Sequence, residues 1–299
     1  MRFAVYGAGA VGCYFGAMLA RAGYDVVLIG RARHVSAISQ RGLRFQTHTS
    51  DETVLVRATT DASAAMSADA VFVCTKSAGT AEAARTLRRI LPPRSLVVSL
   101  QNGIENAHLL RTQLEQPVIA AAVYVAAEMA GDGHLLHHGR GDLVIEDSAE
   151  AGSIAKALRH AGIPVLQSSD VTVALWRKLT LNCAYNAISA IVMQPLGAML
   201  RRDLLRYTMK DVVAECFAIA AAEGVTFEED VADFVEQIER TIPAGQLSST
   251  AQDLAKGKAS EIDYLNGTIM RLGIERGIPT PVNRTLYTLV KMAEAQRAR

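Results

Sequence analysis

The sequence predicts an α/β domain followed by an all-α domain. Short apolar runs of strand length alternate with helical segments as far as Ser169, and beyond Val171 the strand pattern disappears. The chain has 299 residues, of which 50% are hydrophobic, and this is enough to bury two cores. We therefore predict one domain at 1–169 and a second at 170–299.

The first 30 residues have the order strand, glycine turn, helix, strand. Residues 2–6 and 25–29 have strand composition, and the helical stretch between them stops at Gly23. In the turn, the first glycine permits a tight bend, the second lets the backbone approach a pyrophosphate, and the third lets helix and strand pack closely. The helix N-terminus offers N–H groups and a partial positive charge to the phosphates. This order predicts a Rossmann-type dinucleotide site at Gly7, Ala8, Gly9, Ala10, Val11 and Gly12.

The same stretch has features of a signal peptide, because Arg2 precedes an apolar run that reaches Ala20. Gly12-x-x-x-Gly16 also matches a membrane-helix contact motif. Glycines at positions 7, 9, 12 and 16 disfavour a single apolar helix. We therefore expect neither a targeting segment nor a membrane span.

The second strand indicates which dinucleotide binds. NAD sites usually carry Asp or Glu about 20 residues after the glycines, where it holds the ribose 2′-hydroxyl. No acidic residue occurs between Val26 and Ser50, and Arg31 and Arg33 follow Gly30. A guanidinium suits a 2′-phosphate, although a solvated surface arginine gives the same pattern. We predict NADP, held in part by Arg31.

Two later strands end in polar residues. Lys76 follows the predicted strand 69–75, and Gln101-Asn102-Gly103 follows the strand 95–100. Ligands of open parallel sheets lie outside the carboxyl ends of the strands, which makes Lys76 and Asn102 candidates. Asn-Gly is also an ordinary tight turn. The remaining predicted elements of this domain are a helix at 81–90, a strand at 118–126, a hairpin at 131–145, a helix at 151–160 and an edge strand at 163–167.

The second domain is predicted to be helical throughout. Thr226 and Glu229 match a capping box, and apolar residues then repeat at i, i+3, i+4 and i+7 until a break at 242–245. A rigid turn at 277–281 precedes the last helix, which runs to about Ala295. The other predicted helices are 175–190, 202–223 and 260–272.

The stretch 175–190 carries a polar stripe on an otherwise largely apolar helix. Lys178, Asn182 and Asn186 are four apart, so each lies about 40° round from the last on one stripe. The apolar surroundings indicate burial, and a buried lysine without a function is destabilising. A lysine that extends to the surface beside two amides gives the same pattern.

Charge and cysteine content exclude several classes of protein. Lysine and arginine number 31 against 30 acidic residues, and no charged block indicates nucleic acid or a membrane surface. Four cysteines lie far apart without metal or redox spacing. We expect reduced thiols in a cytoplasmic protein that has no metal site. These cysteines are Cys13, Cys74, Cys183 and Cys216.

Together these motifs resemble the ketopantoate reductase (2-dehydropantoate 2-reductase) family over essentially the whole chain. The resemblance rests on the glycine turn, Lys76, Gln101-Asn102-Gly103 and the stripe at 178, 182 and 186. It also rests on Ser248-Ser249-x-x-Gln252-Asp253, on Ser-Glu-Ile-Asp-Tyr-Leu-Asn-Gly at 260–267 and on the segment 277–283. It implies a Rossmann-type N-terminal domain and an all-α C-terminal domain like that of 6-phosphogluconate dehydrogenase.

The resemblance implies NADPH-dependent reduction of a 2-oxo acid, first of all 2-dehydropantoate to (R)-pantoate in pantothenate and coenzyme A biosynthesis. Lys178 is then the general acid, and Glu261 contacts the cofactor and orients the lysine. Read alone, Glu261 is a first-turn helix acid and Ser249 an N-cap. The implied substrate-binding residues are Asn102, Asn182, Asn186 and Ser249. The implied cofactor-binding residues are the six of the glycine turn, Arg31, Lys76, Asn102, Ala126 and Glu261.

The chain departs from the family pattern in three places. Small residues up to Gly79 follow Lys76, Ala187 replaces the usual proline, and Leu196 stands where the family offers a polar contact. These changes suit a bulkier or less hydroxylated 2-oxo acid. Alternatives are therefore a paralogous reductase of another 2-oxo acid and a non-catalytic NADP-binding sensor, whereas a methyltransferase does not explain Arg31. Helical second domains of this kind often pair, so we expect a homodimer.

Overall fold

The computed structural model describes residues 1–297, with the side chains of Asp203 and Arg297 excepted. The chain divides into two compact units, Met1–Val171 and a second that begins at Thr172. Each unit is described by itself.

The first unit is built on a mixed sheet of ten strands. The strand order is β4-β3-β9-β8-β7-β6-β1-β2-β5, and β10 pairs with β9. The strands are β1 Arg2–Tyr6, β2 Asp25–Ile29, β3 Leu43–Gln46, β4 Asp51–Val54, β5 Arg57–Thr59, β6 Ala70–Val73, β7 Leu96–Ser99, β8 Val118–Gly131, β9 His134–Glu146 and β10 Val165–Ser168. The helices are α1 Ala10–Arg21, α2 Ala32–Arg41, α3 Thr80–Ile90, α4 Asn106–Gln113 and α5 Ala151–His160.

Six neighbouring strands, from β5 to β8 in spatial order, run parallel. A parallel strand is covered on both faces, which explains why all four residues of β6 are buried. Phe3 and Phe72 meet with ring centroids 5.4 Å apart, and Phe15 of α1 packs on Phe72 from the same core. The predicted Rossmann-type fold is therefore confirmed. Its parallel strands bring the ends of β1, β2, β6 and β7 to one edge.

The predicted hairpin at 131–145 is wrong in its first strand. The strand β8 pairs with β7 only as far as Ala120 and then continues to Gly131 as the antiparallel partner of β9. The segment 131–145 is therefore the turn and the second strand of a longer hairpin. The pairing register between β8 and β9 shifts three times, as it does at β-bulges. A bulge bends a strand and changes the direction of its side chains.

Several short elements of this unit were not predicted from the sequence. Both α2 and α4 begin without a capping side chain, since their N-cap residues Arg31 and Glu105 make no cap hydrogen bond. The strands β3, β4 and β5 have only three or four residues each. Runs this short carry too few alternating residues to be distinguished from loops.

The second unit is helical, as predicted, and no strand occurs between Thr172 and Arg297 in the described chain. Its helices are α6 Val171–Val192, which begins at the boundary, α7 Leu196–Met199, α8 Asp203–Ala222, α9 Val231–Thr241, α10 Ser249–Ala255, α11 Asn266–Arg276 and α12 Pro281–Arg297. A single 3₁₀ turn, Ile262–Tyr264, precedes α11.

Two predicted helix features of this unit are wrong. Helix α9 is capped by Asp230, which accepts a 2.9 Å bond from the Asp233 N–H, and Glu229 instead pairs with Arg177. The predicted helix 260–272 is interrupted at Leu265, whose φ of −112° and ψ of −104° are not helical. A 3₁₀ turn and a separate helix therefore replace the single helix.

Buried amides connect α6 to three other helices. The Asn266 Nδ2 donates to the Cys183 carbonyl at 3.2 Å and to Asn283 Oδ1 at 2.9 Å. Asn283 Nδ2 donates in turn to the Glu215 carboxylate at 2.7 Å. Because buried amides are stable only when they are hydrogen-bonded, this chain fixes α6 against α8, α11 and α12.

Candidate active site

The glycine turn lies between β1 and α1. Gly7 has a φ of +116°, and a Cβ there would lie 2.7 Å from the backbone of Cys74 and Thr75. A Cβ at Gly12 would lie 2.2 Å from the Gly7 carbonyl oxygen. Gly9 differs, because it is exposed and a Cβ there would meet no heavy atom within 4 Å.

The N-terminus of α1 suits an anion. Gly9 is its N-cap, no side chain caps it, and its first turn contains no acidic residue. The first N–H groups of a helix have no intrahelical acceptor, so those of Ala10, Val11 and Gly12 remain for a ligand. Since the space over Gly9 is open, these residues fit the pyrophosphate of a dinucleotide.

Two arginines follow β2 and differ in their surroundings. Arg31 is exposed at the start of α2, and no described side chain forms an ion pair or hydrogen bond with it. The Nε of Arg33 lies 3.5 Å from Asp132 Oδ1, at the turn of the long hairpin. Of the two guanidinium groups, only that of Arg33 therefore has an ion-pair partner among the described residues.

The structure brings Lys76 and Asn102 to the same edge of the sheet. Lys76 is exposed and precedes a 3₁₀ turn, Ser77–Gly79, while Asn102 is half-buried just after β7. Ser77 Oγ donates to the Asn102 carbonyl at 2.9 Å, so the loops after β6 and β7 are in direct contact. Ala126 is buried on β8, where it pairs with Gly139 between two register shifts.

Sequence reasoning missed a buried polar network behind these two loops. Thr80 Oγ1 donates to Asn106 Oδ1 at 2.7 Å, and Gln101 Nε2 donates to Thr80 Oγ1 at 2.7 Å. Thr80 and Asn106 begin α3 and α4. Their polar side chains at helix starts were the available signal, but helix starts carry such residues for capping alone.

In the helical unit, α6 carries the predicted stripe. Lys178 is half-buried, and Asn182 and Asn186 are buried. Asn186 Nδ2 donates to Ser249 Oγ at 3.5 Å, which places Ser249 at the end of the stripe. The N-cap of α10 is Ser248, which accepts a 3.0 Å bond from the Ala251 N–H, so the interpretation of Ser249 as an N-cap is wrong.

Buried hydroxyl groups hold α10 against α6. Ser248 Oγ donates to the Asn186 carbonyl at 3.1 Å, and the Ser248 N–H donates to Ser189 Oγ at 3.3 Å. The Tyr185 hydroxyl donates to the Gln246 carbonyl in the preceding loop. Burial raises the pKa of Tyr185, which keeps this hydroxyl protonated as a donor.

Other predicted positions occupy the same unit. Glu261 is half-buried and precedes the 3₁₀ turn. Asp263 binds Lys291 at 3.0 Å and accepts from the Tyr287 hydroxyl at 2.8 Å, so its contacts are structural. Ala187 and Leu196 are fully buried.

Among residues 1–297, the thiols, the metal-ligating side chains and the helices give no sign of a second functional site. Burial raises the pKa of Cys13 to about 12 and that of Cys74 further, so neither is a thiolate near neutral pH. Among residues 1–297 no group of three or more His, Cys, Asp or Glu side chains is placed to hold a metal ion. No helix in this range is both long and apolar enough to cross a membrane.

An open glycine turn on a parallel sheet fits a dinucleotide, and the helical unit carries a lysine and two asparagines on one stripe. Comparisons with known proteins agree. The sequence model of "Ketopantoate reductase PanE/ApbA" matches residues 3–150, and that of its C-terminal region matches 170–294. The chain belongs to the ketopantoate reductase family and is an oxidoreductase of the class that acts on CH–OH groups.

Individual relatives cover the whole chain. A 2-dehydropantoate 2-reductase of Archaeoglobus fulgidus is 32% identical, with 98% of each chain covered. The crystal structure of a PanE/ApbA family ketopantoate reductase from Ralstonia eutropha JMP134 is 53% identical, with a TM-score of 0.94 over 100% of both chains. A ternary structure of D-mandelate dehydrogenase with NADH and anilino(oxo)acetate is 24% identical with a TM-score of 0.92 over 100% of both chains, which is a likeness of fold alone.

Proposed function

We propose that this protein reduces a 2-oxo acid with NADPH, and that its substrate is 2-dehydropantoate, which becomes (R)-pantoate for pantothenate and coenzyme A biosynthesis. The observation that carries the proposal is the Lys178, Asn182, Asn186 stripe, retained in a chain that matches the family over both units. Relatives named 2-dehydropantoate 2-reductase support the choice of substrate.

The N-terminal unit would hold the dinucleotide, which supplies a hydride to the carbonyl carbon when it is bound. The first-turn N–H groups of α1 would bind the pyrophosphate, and Ala126 and Asn102 would lie near the nicotinamide. Arg31 would bind the 2′-phosphate and Lys76 would add a second cation. The preference for NADPH over NADH rests on the exposed Arg31 and on the absence of an acid between Val26 and Ser50.

The helical unit would supply the proton. The Lys178 ammonium would donate to the carbonyl oxygen as negative charge develops there, and Glu261 would orient the lysine and contact the cofactor. Asn182, Asn186 and Ser249 would hydrogen-bond the carboxylate and hydroxyl groups of the substrate. Neutral donors suit this role because a substrate that lacks a partner group leaves them unpaired.

One observation favours a second candidate, a paralogous reductase of a different 2-oxo acid. Leu196 has an apolar side chain, so this position offers no hydrogen bond to a hydroxylated substrate. Ala187, which is buried, stands where the family pattern has proline. Both changes leave Lys178, Asn182 and Asn186 in place, so they would alter the preferred side chain of the 2-oxo acid rather than the proton donor.

We further propose a cytoplasmic homodimer. All four cysteines are free thiols, which fits a reducing compartment. The helical unit exposes large apolar side chains that a partner copy would cover, and sedimentation at several concentrations tests this. They are Leu204, Tyr207, Ile274 and Met292.

The test of the proposed function is NADPH oxidation across a panel of branched and hydroxylated 2-oxo acids. We expect the highest kcat/KM with 2-dehydropantoate. A different preferred 2-oxo acid would identify the paralogous reductase. Tight NADPH binding without turnover of any 2-oxo acid would contradict both and would indicate a sensor.

A further inference from the structure

Four buried polar side chains join the loops after β6 and β7. They are Ser77, Thr80, Gln101 and Asn106, which are between 0% and 6% exposed, and none is among the residues proposed above to contact a ligand. Burial of four polar side chains is destabilising unless they bind one another. Their position beside Lys76 and Asn102 suggests what their mutual bonds achieve.

The network runs between two backbone carbonyls. At one end Gln101 Nε2 donates to the Thr75 carbonyl at 3.0 Å and to Thr80 Oγ1 at 2.7 Å. Thr80 Oγ1 donates to Asn106 Oδ1 at 2.7 Å. At the other end Asn106 Nδ2 donates to the Asn102 carbonyl at 2.6 Å.

These two ends fix the direction of every bond. A backbone carbonyl only accepts, so the amide NH₂ groups of Gln101 and Asn106 must face the two ends. The Thr80 hydroxyl is then left to accept from Gln101 and to donate its single proton to Asn106. The network therefore has one satisfied arrangement, and the loss of the Thr80 hydroxyl interrupts it at its centre.

The network begins where the sheet ends. The last ladder bond between these two strands is the 3.0 Å bond from the Leu100 N–H to the Val73 carbonyl. Beyond it, the two loops are joined by side chains. Ser77 adds a second connection, because its Oγ donates to the Asn102 carbonyl at 2.9 Å and accepts from Asn106 at 3.1 Å.

We propose that Thr80 and Asn106 are positioning residues, which clamp the Asn102 carbonyl to the loop of Lys76 and thereby fix both site residues for the dinucleotide. The part that concerns the ligand rests on the proposed function, whereas the clamp itself is a property of the free protein. Lys76 lies between Thr75 and Ser77, whose carbonyl and hydroxyl groups are both held by this network. Loss of the clamp therefore displaces both site residues together, and small displacements of this kind reduce binding and rate strongly.

The experiment compares Thr80→Val with Thr80→Ser in the full chain. Valine keeps the volume of threonine without the hydroxyl, and serine keeps the hydroxyl without the methyl group. The first readout is amide hydrogen exchange of peptides that cover 75–80 and 99–106 in the free protein. The second is the Kd of NADPH, measured by titration of nicotinamide fluorescence.

We expect Thr80→Val to exchange about 10-fold faster in both peptides and to bind NADPH about 10-fold more weakly. Thr80→Ser should stay within about 3-fold of the original protein in both, which a role in packing alone would not produce. In a Lys76→Ala background, Thr80→Val should weaken NADPH binding by less than it does in the original protein, because one of the two site residues that the clamp positions is already absent.

Three results would overturn the proposal. The first is that Thr80→Val exchanges its amide hydrogens as slowly as the original protein, and the second is that Thr80→Ser loses as much NADPH affinity as Thr80→Val. The third is that Thr80→Val weakens NADPH binding by the same factor with and without Lys76→Ala. If Thr80→Val does not fold, Ser77→Ala replaces it, and we expect about 3-fold faster exchange in the 99–106 peptide. Failure of the original protein to bind NADPH would contradict the proposed function, while the exchange data would still decide whether the clamp exists.

Discussion

The two units hold their candidate site residues in different ways. On α6, one regular helix sets the spacing of Lys178, Asn182 and Asn186, so the backbone alone places them on one stripe. In the N-terminal unit, Lys76 and Asn102 lie on irregular loops, and side-chain hydrogen bonds set the distance between them. The placement of the α6 residues should therefore depend on the helix, whereas the placement of Lys76 and Asn102 should depend on the buried side chains that join their two loops.

The largest effect is expected on the helix. Lys178→Ala should lower kcat about 10³-fold, because the proton donor is lost, while the Kd of NADPH changes little. Lys178→Arg should remain equally slow, since a guanidinium keeps the charge but does not release a proton near neutral pH. Steady-state rates with the best 2-oxo acid measure this, and Lys210→Ala on the exposed face of α8 is the control. Rapid turnover by Lys178→Ala would end the idea that α6 carries the acid.

The next largest effect concerns the glycine turn. Gly12→Ala should lower the free energy of unfolding by about 1–3 kcal/mol, because its Cβ would lie 2.2 Å from the Gly7 carbonyl oxygen. Gly9→Ala should unfold like the original protein, because no atom lies within 4 Å of its Cβ, but should bind NADPH more weakly. Urea denaturation and NADPH titration measure the two. Equal destabilisation by both alanines would contradict the difference between the crowded Gly12 and the open Gly9.

A smaller effect on NADPH affinity is expected to distinguish Arg31 from Arg33. Arg31→Ala should weaken NADPH binding about 10-fold or more and leave NADH binding unchanged, because only NADPH has the 2′-phosphate. Arg33→Ala is the matched control, since the Arg33 side chain lies 3.5 Å from Asp132. Titrations with both dinucleotides measure the preference. A loss of NADPH affinity in Arg33→Ala alone would assign the 2′-phosphate to the other arginine.

The smallest effect is a difference in pH dependence between the units. All seven histidines lie at or before position 160, so the helical unit contains none. Burial lowers the pKa of His137 below its ordinary value of 6.5, and the unfolded chain therefore takes up a proton at higher pH than the folded chain. The free energy of unfolding should fall as the pH drops through 6.5 toward the folded pKa of His137.

His137→Gln should flatten this dependence, and His108→Gln, which changes an exposed histidine on α4, should not. Unfolding temperatures between about pH 8 and about pH 5.5 measure it. An unchanged slope in His137→Gln would assign the dependence to other groups.

The sequence predicted what depends on local periodicity and turn chemistry. The strand at 2–6, the helix at 151–160 and the stripe on α6 are local patterns, and the structure has all three elements. The hairpin boundary was wrong because β8 changes partner at Ala120, and no local signal marks a change of partner. The interruption at Leu265 was missed for a similar reason, since apolar spacing continues through it.

The candidate site residues likewise fall into those set by local sequence patterns and those set by tertiary contacts. Residues on α6 and in the glycine turn follow from spacing, so they could be named from the sequence. Thr80 and Asn106 are 26 positions apart and meet only because β6 and β7 are neighbours in the sheet. Which buried polar residues meet across two loops is a tertiary property, and a single sequence does not contain it.

The most direct test of the central claim is a crystal structure with NADP⁺ and the preferred 2-oxo acid bound. The account predicts Lys178 Nζ at about 3 Å from the oxygen on the second carbon of the acid, with Arg31 at the 2′-phosphate. A ligand bound at the glycine turn with Lys178 directed into solvent would contradict it.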